Sequence, residues 1–202
     1  NQPIATRPRQ AAGPVAVIDV GGTDTKTGLV HPGGLLTEVR SVPTPHTGED
    51  LEDAVAGIVD KLRADHDPVA VGLAVAGFLD AERETVRFAP HLPWRDTPVR
   101  ARLQDRLGLP VVLEHDANSA AWGEYRFGSA RGAGTWVFFA VGTGIGVALM
   151  IDGQLFRGAY GTAPEFGHLT MVRGGRPCSC GKRGCLERYC SGTALAATAR
   201  EL

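Results

Sequence analysis

The sequence has no excess of positive charge and no long hydrophobic run. Lys and Arg total 21 against 22 Asp and Glu, so the chain lacks the basic surplus with which proteins bind the phosphate backbone of nucleic acids. No apolar run approaches the roughly 18 to 20 residues that span a bilayer, and residues 1–13 contain no apolar stretch of the signal-peptide type. We therefore expect a cytoplasmic protein with no nucleic-acid or membrane partner, in which any bound anion is held locally.

The sequence also lacks low-complexity segments, short repeats of fixed period and two familiar nucleotide-binding motifs. Neither the Gly-x-x-x-x-Gly-Lys-Ser/Thr of a P-loop nor the Gly-x-Gly-x-x-Gly of a Rossmann helix occurs at its glycine clusters. The composition, 43% hydrophobic and 21% charged, excludes disordered and fibrous classes. What the chain has in quantity is glycine, 27 residues in clusters that indicate tight turns.

Short apolar runs alternate with amphipathic helical patterns along the chain, which predicts the α/β class. The predicted strands are 15–20, 26–30, 35–42, 69–76, 111–114 and 135–141. The predicted helices are 47–62 with an N-cap at Thr47, 97–107 closed by Gly108, 117–127 and 193–202. The last of these has no stop signal, so we expect the reading frame to continue and the chain to be truncated at its C-terminus.

Two glycine-rich turns stand at the ends of apolar strands. Segment 19–26 is DVGGTDTK and segment 142–146 is GTGIG. Paired glycines let backbone N–H groups approach an anion, Thr adds a hydroxyl donor, and Asp19 is placed to hold Mg²⁺ directly or through water. Tight hairpins are the alternative, because glycine also suits a β-turn. The repeat of strand, glycine turn and strand indicates two similar halves that face each other.

Three of the four cysteines, Cys178, Cys180 and Cys185, lie within eight residues. Glycines between them let the chain wrap around an ion, so the cluster predicts a tetrahedral zinc site of structural type. His168 is the expected fourth ligand and Cys190 is its competitor. Cys190 falls five residues after Cys185 in a segment that we predict to be helical, where a cysteine is more typical of a small buried apolar residue. A disulfide between Cys180 and Cys185 is the alternative, which a reducing compartment disfavours.

Together these motifs resemble the ROK family of sugar kinases, most closely its bacterial glucokinases. Segment 19–23 resembles the family's first phosphate motif, 142–146 its second, and 165–168 (EFGH) with 178–187 (CSCGKRGCLE) its zinc signature. The resemblance runs from about residue 15 to the end of the chain. It implies the actin-like ATPase fold, in which two ribonuclease-H-like α/β domains close a cleft on ATP and sugar.

The resemblance also implies a domain order. We expect a disordered N-terminal tail at 1–14 and a small α/β domain at 15–115 that carries the first phosphate motif. Segment 116–202 is expected to be the first part of the large α/β domain, with the second phosphate motif and the zinc site, the remainder being missing.

Residue roles follow from the same resemblance. Asp116 matches the catalytic aspartate that accepts the proton of the sugar 6-hydroxyl; alternatively it only caps the helix that follows. Glu165, His168 and Glu187 match residues that hydrogen-bond the sugar, His168 while also binding zinc. Gly77 matches a backbone position of the sugar pocket, or ends a strand. The implied ATP- and phosphate-binding residues are Asp19, Gly21, Gly22, Thr23, Lys26, Gly142, Thr143, Gly144 and Gly146.

Two positions depart from the family pattern. His91 and His115 stand where glucokinases of this family commonly carry asparagines that contact sugar. We hypothesise that both histidines face the same hydroxyls and partly replace the amides; at the rim of the pocket they would contact only water. A histidine is bulkier than asparagine and titrates near neutral pH, so the sugar preference is left open.

The function implied is that of an ATP-dependent glucokinase, a homo-oligomer that uses Mg²⁺ with ATP and carries structural Zn²⁺. Kinases for fructose, mannose or an N-acetylamino sugar, and polyphosphate-using glucokinases, remain alternatives. A ROK transcriptional regulator is a different class. About a dozen residues precede the first strand, which are too few for a helix-turn-helix domain. A sugar-binding protein without turnover is disfavoured by Asp116 and both glycine turns.

Overall fold

Our computed structural model describes residues 12–162 and 164–201. Residues 1–11, most of the predicted disordered tail, lie outside the described residues. The described strands are β1 (Val15–Val20), β2 (Asp24–Val30), β3 (Leu36–Pro43), β4 (Ala70–Val75), β5 (Phe78–Leu79), β6 (Val86–Phe88), β7 (Arg95–Thr97), β8 (Val111–His115), β9 (Trp136–Val141), β10 (Ile145–Ile151) and β11 (Gln154–Phe156). The described α-helices are α1 (Gly48–Asp65), α2 (Val99–Leu107), α3 (Asp116–Phe127), α4 (Glu187–Cys190) and α5 (Gly192–Glu201).

A five-stranded mixed sheet, ordered β3-β2-β1-β4-β8, forms the first half of the fold. β1, β2 and β3 pair antiparallel, whereas β1, β4 and β8 run parallel. Alternate residues of the central strands, such as Ile18 and Leu73, are buried in one core cluster with Leu51 of α1. Because parallel strands end at the same edge of a sheet, this core holds Asp19 near the end of β1 and Asp116 just after β8 at one edge.

Two helices on this sheet begin or end as the sequence predicts. Thr47 caps α1, its hydroxyl accepting a hydrogen bond from the backbone N–H of Asp50 at 3.1 Å. α2 ends at Gly108, whose φ of 61° favours glycine and whose N–H bonds Gln104 O. Among the described residues, no helix combines the length and apolarity needed to cross a membrane.

A second antiparallel sheet, β11-β10-β9, has the hairpin order of β3-β2-β1 in the first. The predicted repeat of strand, glycine turn and strand is therefore present in both sheets. α3 contacts β10 and β9 of the second sheet as well as β8 and β4 of the first. This helix places the two glycine turns on the same side of the molecule as Asp116. A small third sheet, β5-β6-β7, was not predicted from the sequence.

Candidate active site

An open cleft between the two sheets collects most of the predicted site residues. Gly22, Thr23 and the three clustered cysteines are not among the residues that line it. The predicted residues on the cleft wall are Asp19, Gly21, Lys26, Gly77, His91, His115, Asp116, Gly142, Thr143, Gly144, Gly146, Glu165, His168 and Glu187. Residues that lie 168 positions apart in the sequence, Asp19 and Glu187, thus face one space.

The first glycine turn closes the β1–β2 hairpin and is tied to the segment that follows β3. Gly21 N donates to Asp24 O at 3.1 Å, and the Thr44 hydroxyl donates to Gly21 O at 2.7 Å. A Cβ on Gly22 would lie 2.6 Å from the Cβ of His91, so only glycine lets this turn pack on the His91 segment. The turn is therefore the tight hairpin that was the alternative interpretation, and binding of phosphate by this turn remains a prediction.

Asp19 and Lys26 are paired across this hairpin. Burial raises the pKa of the Asp19 carboxyl, the charge of Asp116 raises it further, and the ammonium of Lys26 acts in the opposite direction. A carboxyl group that is costly to ionise in isolation gains most from a bound cation, so Asp19 suits a site that receives Mg²⁺.

The second glycine turn, 142–146, is held by α5. Gly192 N donates to Gly142 O at 2.7 Å, and the Thr193 hydroxyl donates to Thr143 O at 2.8 Å. The contact of Gly192 is close, since a Cβ there would lie 2.9 Å from Gly142 O. Backbone carbonyls of the turn thus accept hydrogen bonds from the start of α5, which hold the turn at the wall of the cleft.

Three carboxyl groups converge beside this turn. The Glu187 carboxylate accepts a hydrogen bond from Ile145 N at 2.8 Å, and a Cβ on Gly144 would lie 2.5 Å from the same carboxylate oxygen. Burial raises the pKa of Glu165 to about 7, with further contributions from the charges of Asp116 and Glu187. Three carboxyl groups close together offer many hydrogen-bond acceptors, which suits a ligand that is rich in hydroxyl donors.

Asp116 is the first residue of α3, one position earlier than the predicted helix start. Its Oδ1 accepts a hydrogen bond from Ala117 N at 2.7 Å and lies 3.3 Å from His115 Nε2. The side chain is 41% exposed toward the cleft. The N-cap position of α3 is occupied by His115, without a side-chain capping bond, so the capping alternative for Asp116 is wrong. Its carboxylate instead accepts the next backbone N–H and is exposed to the cleft.

Gly77 and His91 belong to the same wall. A Cβ on Gly77 would lie 2.8 Å from the Cβ of Ala89 and 3.0 Å from Phe88 O, so a side chain is excluded where the chain leaves β4. His91 contacts the first glycine turn from the segment between β6 and β7. Gly77 and His91 both line the cleft.

Glu114, directly before His115, is a largely buried carboxylate that sequence reasoning did not single out. Its side chain is 13% exposed and accepts hydrogen bonds from Arg83, Arg157, Asn118 and the backbone N–H of His115. Burial by itself raises the pKa of Glu114, but the hydrogen bonds and charge of Arg157, with the other donors, hold it below its usual range. The only sign of this role in the sequence was a charged residue at the end of a short apolar strand.

The lowered pKa of Glu114 makes part of the folding free energy dependent on pH. At neutral pH the Glu114→Gln variant is expected to lose about 2 kcal/mol of unfolding free energy, because two arginines lose their anionic partner. As the pH falls below the ordinary glutamate pKa of about 4.3, the unfolded chain binds the proton first, and the advantage of the wild type disappears. Urea unfolding of both proteins across pH 3 to 8 measures this; a constant difference over the range would contradict it.

The four predicted metal ligands lie together in the segment between β11 and α4. Their donor atoms, one each from His168, Cys178, Cys180 and Cys185, all lie within 4.8 Å of one another. Cys178 Sγ is 3.5 Å from His168 Nδ1, and Cys180 Sγ is 3.6 Å from Cys185 Sγ. A zinc tetrahedron with bonds of about 2.0 to 2.3 Å has edges of about 3.5 to 3.8 Å, so these donors fit a zinc ion.

The structure decides between the two alternatives left open for the cysteines. All four are free thiols, so the Cys180–Cys185 disulfide is wrong for this structure. Cys190 was expected to be a buried apolar residue, and this is also wrong: it is exposed at the end of α4, a helix of four residues that has no buried side chain. It does not join the cluster of donors around His168.

The strand order of the first sheet, its partial repeat in the second and the cleft between them define an α/β protein of the actin-like ATPase fold. The model of the ROK family matches residues 15–201. The chain belongs to the ROK family.

Individual relatives agree with this assignment. The chain is 45% identical over 184 residues to a glucokinase of Streptomyces coelicolor, which covers 91% of this chain and 58% of that protein. A ROK glucokinase from Streptomyces griseus, solved with glucose and AMPPNP, superposes with a TM-score of 0.86 at 43% identity, covering 94% of this chain and 61% of that one. A xylose repressor of Bacillus subtilis is 38% identical over 127 residues, 63% of this chain and 33% of that protein. The chain spans about three-fifths of the length of the two glucokinases.

Proposed function

We propose that this protein is an ATP-dependent glucokinase, which transfers the γ-phosphate of ATP to the 6-hydroxyl of glucose. The observation that carries the proposal is the shared cleft, where both glycine turns, Asp116 and the Glu165–Glu187 pair face one space. The names of the relatives from two Streptomyces species support glucose and ATP as substrates. The free thiols suit a reducing compartment, so the proposal includes a cytoplasmic location.

In this mechanism Asp116 accepts the proton of the 6-hydroxyl as that oxygen attacks the γ-phosphorus. The transition state of phosphoryl transfer is loose, so positioning and charge neutralisation outweigh the strength of the base. Backbone N–H groups of the two glycine turns and Lys26 hold the phosphates, and Asp19 is placed to hold the magnesium ion of Mg·ATP. Gly22 and Thr23, which do not line the cleft, are left out of this role. Mg²⁺ that arrives with ATP would supply the neutralisation of phosphate charge.

The sugar is held beside the glycine turns by Glu165, His168, Glu187, the backbone of Gly77, and the two histidines that depart from the family pattern, His91 and His115. His168 and the three clustered cysteines would hold Zn²⁺, which would fix the orientation and tautomer of the imidazole. With four protein ligands such a site would be structural and would take no part in the chemical step. We therefore propose that the role of the zinc site is to shape the sugar pocket through His168.

The proposal extends to the whole protein. Segment 15–115 is assigned as the small domain and 116–202 as the first part of the large domain, and the protein is expected to act as a homo-oligomer. The boundary falls between β8 and α3, at the corner that carries Asp116.

The test is an ADP-release assay on the full-length protein with Mg·ATP or polyphosphate and a panel of hexoses. Turnover that depends on glucose supports the proposal. Turnover only with another hexose would make that hexose the substrate, and turnover only with polyphosphate would make polyphosphate the donor.

The likeness to a xylose repressor favours sugar sensing as the second candidate function. Binding of sugar without release of ADP for any member of the panel would establish that candidate.

The variants His91→Asn and His115→Asn, assayed on the same panel, decide whether the histidines select the sugar. Unchanged sugar preference and unchanged KM would reject that role.

A further inference from the structure

We propose that the ion pair between Glu114 and Arg157 positions Asp116, with Arg157 acting from the second half of the fold. The inference rests on the proposed kinase function and assigns positioning roles to two residues that the motifs do not contain. Neither side chain needs to touch the substrate for this role. The evidence is the geometry of the Glu114 carboxylate around the β8–α3 corner.

One oxygen of Glu114 holds the chain on both sides of Asp116. Oε1 accepts a hydrogen bond from His115 N at 3.0 Å and from Asn118 Nδ2 at 3.1 Å. His115 precedes Asp116, and Asn118, 3% exposed, lies in the first turn of α3. The residues on both sides of Asp116 are thereby held by a single, largely buried carboxylate.

The second oxygen of Glu114 is held by Arg157, which follows β11. The Nε of Arg157 donates to Oε2 at 3.1 Å, Nη2 donates to the same oxygen, and Nη1 donates to Leu155 O at 3.3 Å. A planar guanidinium can make these contacts together, whereas a lysine ammonium cannot reproduce them. The second sheet is in this way connected through Glu114 to the two residues that flank Asp116.

Arg83 provides a matched comparison on the same carboxylate. It belongs to the β5–β6 hairpin of the first half, and it makes a single hydrogen bond to Glu114, from Nη1 to Oε2 at 3.2 Å. Its side chain is 39% exposed, against 27% for Arg157. A single exposed contact within one half contributes little, so loss of Arg83 removes charge from Glu114 without releasing the connection between the halves.

The first measurement compares the kinetics of Arg157→Lys and Arg83→Lys in the full-length protein. We expect Arg157→Lys to lower kcat by about 10- to 100-fold while sugar KM stays within about threefold, because a misplaced base affects the chemical step. Arg83→Lys is expected to keep kcat within about threefold. Guanidinium ion added to Arg157→Ala is expected to restore part of kcat. Equal kcat values for the two lysine variants, or a fall in kcat that is matched by the fall in Tm and is not rescued, would overturn the proposal.

The second measurement does not depend on turnover. Ala117 N donates to Asp116 Oδ1, so hydrogen exchange at this amide reports how firmly Asp116 is held. Exchange is expected to be at least about tenfold faster in Arg157→Lys than in wild type or Arg83→Lys. If wild-type protein phosphorylates no hexose, the proposed function fails while this comparison still decides the positioning role. Equal exchange in all three proteins would refute it.

Discussion

Asp116→Asn is expected to lower kcat for glucose phosphorylation by about 100- to 10,000-fold, the range associated with loss of a general base. The amide can accept the Ala117 N–H as the carboxylate does but cannot take the proton of the 6-hydroxyl. We therefore expect the start of α3, the Tm and the affinity for sugar to change little. The rate is measured by ADP release at saturating glucose and Mg·ATP, and the affinity by calorimetry.

The matched control for this substitution is Asp105→Asn, an exposed aspartate on α2. This variant removes the same charge outside the cleft and is expected to keep kcat within about twofold. If Asp116→Asn retains more than about a tenth of the wild-type rate, Asp116 does not act as the base. If instead sugar affinity falls while kcat at saturation is unchanged, the residue binds substrate without a special role in the transition state.

Cys185→Ser is expected to abolish metal binding and to raise sugar KM by at least about tenfold, the effect associated with loss of support around a metal-bound ligand. Cys185 is fully buried and its sulfur lies 3.6 Å from that of Cys180, so a hydroxyl there cannot complete the tetrahedron. His168 would then lose the ion that orients its ring toward the sugar. Metal content is measured by elemental analysis of purified protein, and KM by the coupled assay.

Cys190→Ser is the control, because it changes an exposed thiol outside the donor cluster. It is expected to keep both metal content and KM at wild-type values. Chelation of the wild-type protein is expected to reproduce the Cys185→Ser phenotype, and added Zn²⁺ to reverse it. A chelated protein that contains no metal and keeps its sugar KM would contradict the link between the zinc site and the sugar pocket.

Local patterns in the sequence were sufficient for much of the fold and for the cluster of one histidine and three cysteines that could hold a metal ion. The β-branched run at 15–20 and the capping residue Thr47 act on their own neighbours, so the observed elements begin close to the predicted positions. The three clustered cysteines lie on a short segment whose glycines let it fold back, and His168 joins them from ten residues away. Interactions at short range in the chain leave signals that can be read directly.

Contacts between distant segments left weaker signals or none. Glu114 and Arg157 are 43 residues apart, and no spacing rule connects them. The strands β5, β6 and β7 have two or three residues each, too few for an alternating pattern to appear. Cys190 was expected in the core because its sequence neighbourhood is helical, but α4 ends after four residues and buries no side chain.

The most direct test of the account is the phosphorus NMR spectrum of the product formed from glucose and Mg·ATP by the full-length protein. Proton-coupled ³¹P resonances distinguish the acceptor oxygen, since a phosphate on the 6-oxygen couples to a methylene pair and one on the anomeric oxygen to a single proton. We predict a triplet of glucose 6-phosphate that grows with ADP and is absent with Asp116→Asn. A doublet, or bound glucose with no phosphorylated product, would contradict the proposed function of this cleft.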